Sequence, residues 1–417
     1  MIYLISVGIL LFSSQADAFS AIPRRSALEQ IKSISIQPFV ITAGVSPLIP
    51  ATASAKESTS TPISAQWTAV DGLNSLSDKQ FVSFSDSAYK AMVDDPSRTP
   101  QFERAIINRL NSAPDGPGSQ VVIDLGTGPF ALFALMAAKN GARKVFAIEA
   151  NKEAAASARE TVKKMGYADK ITILEGFSTD ITLPDGIKAD FVVAEIVGSI
   201  ASEEGAYATI LDARRFLKDP SDPSSWIPNR IQTYASPASY TLHNLFTPPA
   251  FDWSKLNGEP VRFNCRDEGL QLLSDPILIE DISFANPTSA KWTKKDIIFT
   301  IDKVRVEKNE FAFREEFQRG RLPKEEIDKL SVSSARSFSG VALWPRLLLE
   351  SSTEINSRHY PEGGHQKSHW QTVLPIMSDT PVQLNGGDEV RVTFDFNISE
   401  KVTVPARYRI SGSVVNY

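Results

Sequence analysis

The chain has 417 residues, 42% of them hydrophobic, and its 44 basic and 49 acidic side chains leave a net charge of −5. That length and apolar share suit two folded domains, and the acidic balance excludes a nucleic-acid binder that relies on attraction to phosphate while leaving basic peptides open. The single cysteine, Cys265, excludes an intrachain disulfide, and four histidines leave little for a metal site.

Met1 to Phe12 is an apolar run too short to span a bilayer, and Ala16-Asp17-Ala18 supplies a small-residue cleavage site. Residues 1–18 therefore read as a signal peptide, with no stable membrane insertion after its removal. Residues 19–66 are rich in Ser, Thr and Ala, carry Arg24 and Arg25 early, and hold only Glu29 and Glu57 as acids. They are expected to form a disordered, transit-like segment. A signal peptide followed by Phe19 and an acid-poor stretch resembles the bipartite plastid address of algae with complex plastids. Ala53-Ser54-Ala55, after the apolar run from Ile34 to Ile49, keeps a thylakoid-lumen address open, and simple secretion stays open as well.

A first folded domain is expected over 67–229. Trp67 to Leu110 reads as mostly helical. Val121 to Asp124 is an apolar, β-branched run of the kind found in buried parallel strands. Gly126 and Gly128 follow, then an Ala/Leu-rich helical segment to Asn140, closed by Gly141, and a second buried strand from Lys144 carrying Glu149. This is a βαβ unit whose glycine turn lets a ligand approach the backbone. Glu149 is spaced to accept hydrogen bonds from a ribose. Gly126, Gly128 and Ala131 also fit the dinucleotide fingerprint, so a nicotinamide cofactor is one reading. Asp124, two residues before the first glycine, opposes a phosphate there. S-adenosyl-L-methionine has no phosphate, and the acid favours it; a glycine turn without a ligand is the third reading.

Glu153 to Met165 reads as a helix, Lys170 to Glu175 as a third strand and Asp190 to Glu195 as a fourth. In open parallel sheets ligands sit at the carboxyl ends of the strands, so Glu149 and Glu195 should edge one crevice. Glu204 lies nine residues beyond Glu195, far enough to close a loop that turns both carboxylates inward. Two carboxylates in one cleft oppose each other's ionisation. A cation between them removes that penalty, and a planar guanidinium matches such a pair best.

Ala206 to Leu217 is helical, and the three prolines between Asp219 and Pro228 end the domain. Residues 230–417 change texture. Alternating stretches at Ile297–Val306, Val341–Glu350, Val390–Phe396 and Ala406–Val414 mark an all-β domain. The charged segment Glu307 to Leu330 is expected to be helical. Residues 242–275 form an irregular apolar insertion with Phe246, Phe251 and Trp253.

Taken in order, these motifs resemble those of the protein arginine N-methyltransferases over Ser83 to Tyr417. Met92-Val93-Asp94-Asp95-Pro96-Ser97-Arg98 matches the family's first helix motif, Asp124 to Gly128 its cofactor strand, and Glu195 with Glu204 its double-glutamate loop. Ser368-His369-Trp370 matches its Thr-His-Trp loop. The resemblance implies an α/β fold: a Rossmann-like class I methyltransferase domain followed by a β-barrel domain. It also implies S-adenosyl-L-methionine as cofactor, an arginine-containing protein or peptide as substrate, and a homodimer formed through the 242–275 arm. Arg98 is implied on the cofactor carboxylate, Glu149 on the ribose hydroxyls, and Ser178, Thr179 and Asp180 near adenine. Asp95 falls where the family places the partner of the loop histidine, His369. The Tyr89–Arg98 stretch and the Glu204-Gly205-Ala206 ending most resemble the monomethylating branch.

Departures stand beside the matches. Phe130 replaces the family's third glycine, Ser368 stands for Thr, and one residue is missing between Trp370 and Gln371. Phe81, Phe84 and Tyr89 are candidates for an aromatic lid. His369 either relays a proton or braces the wall, with bracing the simpler reading; Trp370 reads as packing. A plastid methyltransferase for small amines and a non-catalytic family member acting as a binding partner remain as alternatives.

Overall fold

The computed structural model describes residues 59–69, 86–264, 269–287, 294–320, 322–358, 368–402 and 404–417. The expected signal peptide, the plastid, lumenal or secretory address, Phe81, Phe84 and Cys265 lie outside the described residues.

The first described element departs from the expected disordered segment at residues 59–66; residues 19–58 lie outside the described residues. Strand β1 (Thr59–Thr68) pairs antiparallel with the last strand of the chain, β18 (Arg407–Asn416), from Thr59 against Asn416 to Thr68 against Arg407. Its Ser/Thr-rich composition conceals a period of two: Ile63 and Trp67 are buried and Ala65 half-buried, while Ser64 and Gln66 are exposed. Trp67, 5% exposed, stacks on Tyr408 with 5.3 Å between ring centroids. Helix does follow, but later, in α1 (Asp86–Val93) and α2 (Thr99–Asn111).

Five parallel strands form the sheet that carries the glycine turn: β2 (Val121–Leu125), β3 (Lys144–Glu149), β4 (Ile171–Glu175), β5 (Phe191–Ala194) and β6 (Trp226–Ile227). Their order is β4-β3-β2-β5-β6. Every residue of β2 and β5 is buried, which is why these strands read as unbroken apolar runs. The crossovers are helical: α3 (Leu132–Lys139) lies between β2 and β3, and α4 (Lys152–Lys164) between β3 and β4. Asn151 starts α4 by accepting the Ala154 backbone N–H at 3.0 Å. Helix α5 (Ala206–Ala213) follows the double-glutamate loop. Reversal of the chain between β2 and β5 opens the crevice at the carboxyl ends of these strands.

The second domain is a β-barrel domain whose two main sheets enclose one core. One sheet orders β1-β18-β17-β11, with β11 at Lys294–Thr300 and β17 at Glu389–Asn397. The other contains β7 (Arg230–Tyr240), β8 (Val261–Asn264), β9 (Leu270–Leu272), β10 (Ile277–Ser283), β13 (Gly340–Leu348), β14 (Glu354–Asn356) and β15 (Gln371–Leu374), around the path β10-β7-β13-β15-β8. The short pair β12 (Ser337–Phe338) and β16 (Val382–Gln383) completes the strands. Phe299, Phe394, Phe396, Leu343 and Val373, from both sheets, share the core with Trp67.

Two expected segments take a different form. The strand foreseen to Val306 stops at Thr300, because the Asp302 side chain accepts the Val304 N–H at 2.8 Å and starts α7 (Lys303–Arg319). Pro323 separates it from α8 (Lys324–Ala335), so the charged segment is a helical pair. The arm-like insertion 242–275 is folded onto its own barrel. After α6 (Thr241–Leu245), β8 pairs with β15 and β9 with β7. Phe251 and Trp253 are buried in a cluster with Tyr240, Phe263 and Trp344. Among the described residues no helix is long and apolar enough to cross a membrane.

Because β1 closes the barrel through Trp67, Trp67→Ala should cost about 3–5 kcal/mol, as other buried tryptophan truncations do. Denaturant unfolding followed by tryptophan fluorescence and circular dichroism checks this; an unchanged midpoint would mean that β1 is not part of the folded barrel.

Candidate active site

A cavity of about 280 Å³ opens at the carboxyl ends of β2, β3 and β5. Gly126, Gly128, Glu149, Ser178 and Thr179 line one part of it, and Glu195, Glu204 and His369 another. Asp180 and Asp124 are not among its lining residues.

The floor is the glycine turn. Gly126 and Gly128 have φ of 75° and 63°, in the left-handed region where glycine carries no steric penalty. A Cβ on Gly128 would also come within 3.3 Å of the Tyr89 ring, which places this one described lid candidate directly over the turn. Glu149 holds the turn shut: its Oε2 accepts the Gly128 N–H and its Oε1 the Asn151 N–H, each at 2.8 Å. Burial raises its pKa, and the backbone N–H groups of Asn151 and Gly128 oppose that rise. Each oxygen retains a second lone pair, and Glu149 lines the cavity.

Asp124 has a different place from the one expected. Its Oδ2 accepts from Thr127 Oγ1 at 2.5 Å and from the Ala134 N–H at 2.9 Å, inside the first turn of α3. Its carboxylate therefore ties the glycine turn to the helix, and Asp124 is not among the residues that line the cavity. Burial pushes its pKa up to about 6.

The sharpest difference concerns Arg98. The resemblance implied a cofactor carboxylate as its partner; here both Nε and Nη2 donate to Oε2 of Glu195, at 3.0 and 2.5 Å. The two side chains are 6% and 7% exposed. Arg98 also donates to the Met92 carbonyl and lies over the rings of Phe102 and Phe133. A guanidinium of the chain's own thus already meets one carboxylate of the pair, the chemistry expected for Glu195 with a different partner.

Asp95 and His369, 274 residues apart, do meet. His369 Nδ1 lies 2.9 Å from Asp95 Oδ2, and the His369 backbone N–H donates to the same oxygen at 2.9 Å. Ser97 donates to Oδ1 through both its N–H and its hydroxyl. Burial alone would raise the Asp95 pKa, yet the hydrogen bonds and charge of His369 and the Ser97 hydroxyl hold it below the usual carboxylate value. An ionised carboxylate only accepts, so Nδ1 carries the proton. Trp370 Nε1 donates to the Val197 carbonyl at 2.7 Å, and the Gln371 N–H donates to Ser199 Oγ at 3.1 Å. The Ser368-His369-Trp370 segment is therefore a brace linking the α1–α2 turn to the double-glutamate loop.

That loop folds tightly. A Cβ on Gly198 would sit 2.7 Å from the Glu203 Cβ, so only glycine lets residues 198 and 203 approach this closely. Glu203 is buried and paired with Arg262 of β8. The sequence gives no signal for Glu203: it is one of two adjacent acids in a loop, and its partner is 59 residues away in a stretch of irregular pattern. Phe130 lines the cavity but is 39% exposed, which puts its ring at the mouth.

A glycine-turned parallel sheet with this crevice, joined to a β-barrel, is the architecture of class I methyltransferases that carry a barrel domain. Two solved structures share it: a Trypanosoma brucei PRMT1 enzyme-prozyme heterotetrameric complex with AdoHcy, at TM-score 0.54 and 18% identity over 74% of this chain and 87% of that one, and Arabidopsis thaliana protein arginine methyltransferase 10, at TM-score 0.54 and 16% identity over 79% and 96%. Residues 76–223 match the family described as PRMT5 arginine-N-methyltransferase. Relatives include protein arginine N-methyltransferase 7 of Bos taurus, 31% identical over 153 residues, or 36% of this chain and 22% of that protein. Another is probable protein arginine N-methyltransferase 6 of Arabidopsis thaliana, 29% identical over 154 residues, or 36% and 33%. The similarity to protein arginine N-methyltransferases thus lies in residues 76–223, and it spans a third or less of the length of these relatives.

The raised pKa of Asp124 has a direct consequence. Its folded value of about 6 lies above its ordinary 3.8, so between those values the folded state binds more protons and stability falls as pH rises. Asp124→Asn keeps an acceptor for Thr127 and Ala134 and should abolish that fall. Unfolding midpoints of the two proteins should diverge as pH rises from 4 to 6 and run parallel above it; parallel curves throughout would mean the carboxylate is solvated.

Proposed function

We propose that the chain is an S-adenosyl-L-methionine-dependent arginine N-methyltransferase acting on proteins or peptides. The observation that carries the reading is the convergence of Glu195 and Glu204 on the cavity that also holds the glycine turn and Glu149. The residues present suit this cofactor. Glu149 offers acceptors to a ribose and opposes a phosphate, Ser178 and Thr179 border the space beyond it, and Phe130 stands at the mouth without filling the cavity. Arg98 is the cation within reach of an amino acid carboxylate.

When bound, S-adenosyl-L-methionine supplies an electrophilic methyl group on a sulfonium. The chain's own part is positioning, which carries much of the rate in an in-line displacement. Glu195 and Glu204 hold the substrate guanidinium, draw its positive charge toward two nitrogens and leave the third aimed at the methyl. Transfer of that methyl to the nitrogen would release S-adenosylhomocysteine, and the nitrogen would then lose a proton to solvent. No strong base is required. His369, held by Asp95, fixes the wall, and Trp370 fixes the backbone of the loop.

Incubation with labelled methyl donor and a Gly/Arg-rich peptide should put label on arginine, as monomethylarginine by mass spectrometry. Glu204→Gln should lower the rate by about 10²–10³-fold, the scale seen when one charge-stabilising group is lost, while S-adenosylhomocysteine still binds in calorimetry. Label on lysine alone, or on a small amine alone, would reject the reading; no binding of the nucleoside would favour a non-catalytic role.

We further propose a homodimer, on the family resemblance of the 242–275 segment. Sedimentation at micromolar concentration should give twice the chain mass; a monomer there would remove the proposal.

A further inference from the structure

The double-glutamate loop is held from behind by a polar network that belongs to the barrel. The Ala201 N–H donates to Thr233 Oγ1 at 3.0 Å, and Thr233 Oγ1 donates to Glu280 Oε2 at 2.6 Å. Ser202 Oγ lies 3.1 Å from the Tyr408 hydroxyl. Arg262 Nη2 donates to Glu203 Oε1, and Nη1 to Oε2 at 3.3 Å, a two-pronged pair in which the side chains are 11% and 2% exposed. Residues 201, 202 and 203 are thus each tied to a barrel strand: β7, β18 and β8 in turn. Glu204, which lines the cavity, is the next residue.

The pair stands apart from the other ties. A fork-to-fork guanidinium–carboxylate contact fixes distance and plane together. Removing one partner leaves a buried charge without compensation, which is costly; removing both does not. Arg262 lies within the 242–275 segment, so the contact joins that segment to the wall of the cavity.

We propose that Arg262 is a positioning residue for the guanidinium site: through Glu203 it sets the place of Glu204, and so tunes productive binding of the arginine substrate without touching substrate or cofactor. This rests on the arginine-methylating reading and names a residue that reading does not require.

The test is a double-mutant cycle on the full chain, with peptide methylation kinetics and S-adenosylhomocysteine calorimetry. Arg262→Gln should lower kcat/KM for a Gly/Arg-rich peptide by about 10- to 100-fold, the scale of a misplacement near 1 Å. The nucleoside Kd should stay within about twofold, since the glycine turn and Glu149 are untouched. Arg262→Lys should recover part of the loss. In a Glu203→Gln background, Arg262→Gln should have no further effect, because both act through one contact. Should the single variant fail to fold, the Glu203→Gln/Arg262→Gln protein, which buries no unpaired charge, decides the matter. The inference is overturned by wild-type kcat/KM in Arg262→Gln or in the double variant, by losses that multiply, or by a nucleoside Kd that weakens in step with activity. A wild-type chain that does not methylate arginine would instead remove the reading beneath it.

Discussion

A carboxylate withdrawn from water has to be met by a positive group or by donors, and this requirement arranges the whole crevice. Glu195 is met by Arg98, Glu203 by Arg262, and Glu149 by two backbone N–H groups. The partners come from different parts of the chain: the α1–α2 turn, the barrel, and the glycine turn together with the start of α4. The acidic wall therefore exists only when the parallel sheet, the first helices and the barrel are assembled together. A site made this way suits a flat cation better than an anion or a neutral ligand, because the acids outnumber the cations around it.

The same requirement explains why the double-glutamate loop is so firmly held for a segment without regular structure. Between Glu195 and Glu204 the chain gains little from its own backbone hydrogen bonds. It is fixed instead by Trp370 on Val197, Gln371 on Ser199, Thr233 on Ala201, Tyr408 on Ser202 and Arg262 on Glu203. All five anchors belong to residues beyond 229, so the barrel serves as the frame for the site as well as its far wall. Arg98 adds a further constraint from the first domain. Under the proposed function, its pairing with Glu195 means that a substrate guanidinium and Arg98 compete for one carboxylate unless a bound carboxylate draws Arg98 aside.

Much of this was legible in the sequence because local rules dictate it. The βαβ unit announced itself through a buried β-branched run, two glycines with positive φ and an acid closing the next strand. The pairing of His369 with Asp95 was legible only through the order of motifs, since nothing local joins residues so far apart. What escaped were features decided by tertiary contact. β1 was hidden by its Ser/Thr content, because only Ile63, Ala65 and Trp67 mark its inward face. Asp124 was placed on the ligand, although a carboxylate at a strand end can equally turn toward the first N–H groups of the following helix. The pairing of Arg98 with Glu195 and the burial of Glu203 against Arg262 were not foreseen, because ion pairs between distant residues leave no trace in spacing.

The central claim is that Glu195 and Glu204 act together on one guanidinium. A crystal structure of the chain with S-adenosylhomocysteine and an arginine peptide addresses it most directly. The account expects the peptide's guanidinium between the two side chains, with nitrogen–oxygen distances of about 2.7–2.9 Å to each, as in charge-assisted pairs. A peptide arginine bound elsewhere, with Glu195 still on Arg98 and Glu204 turned from the cavity, would contradict it.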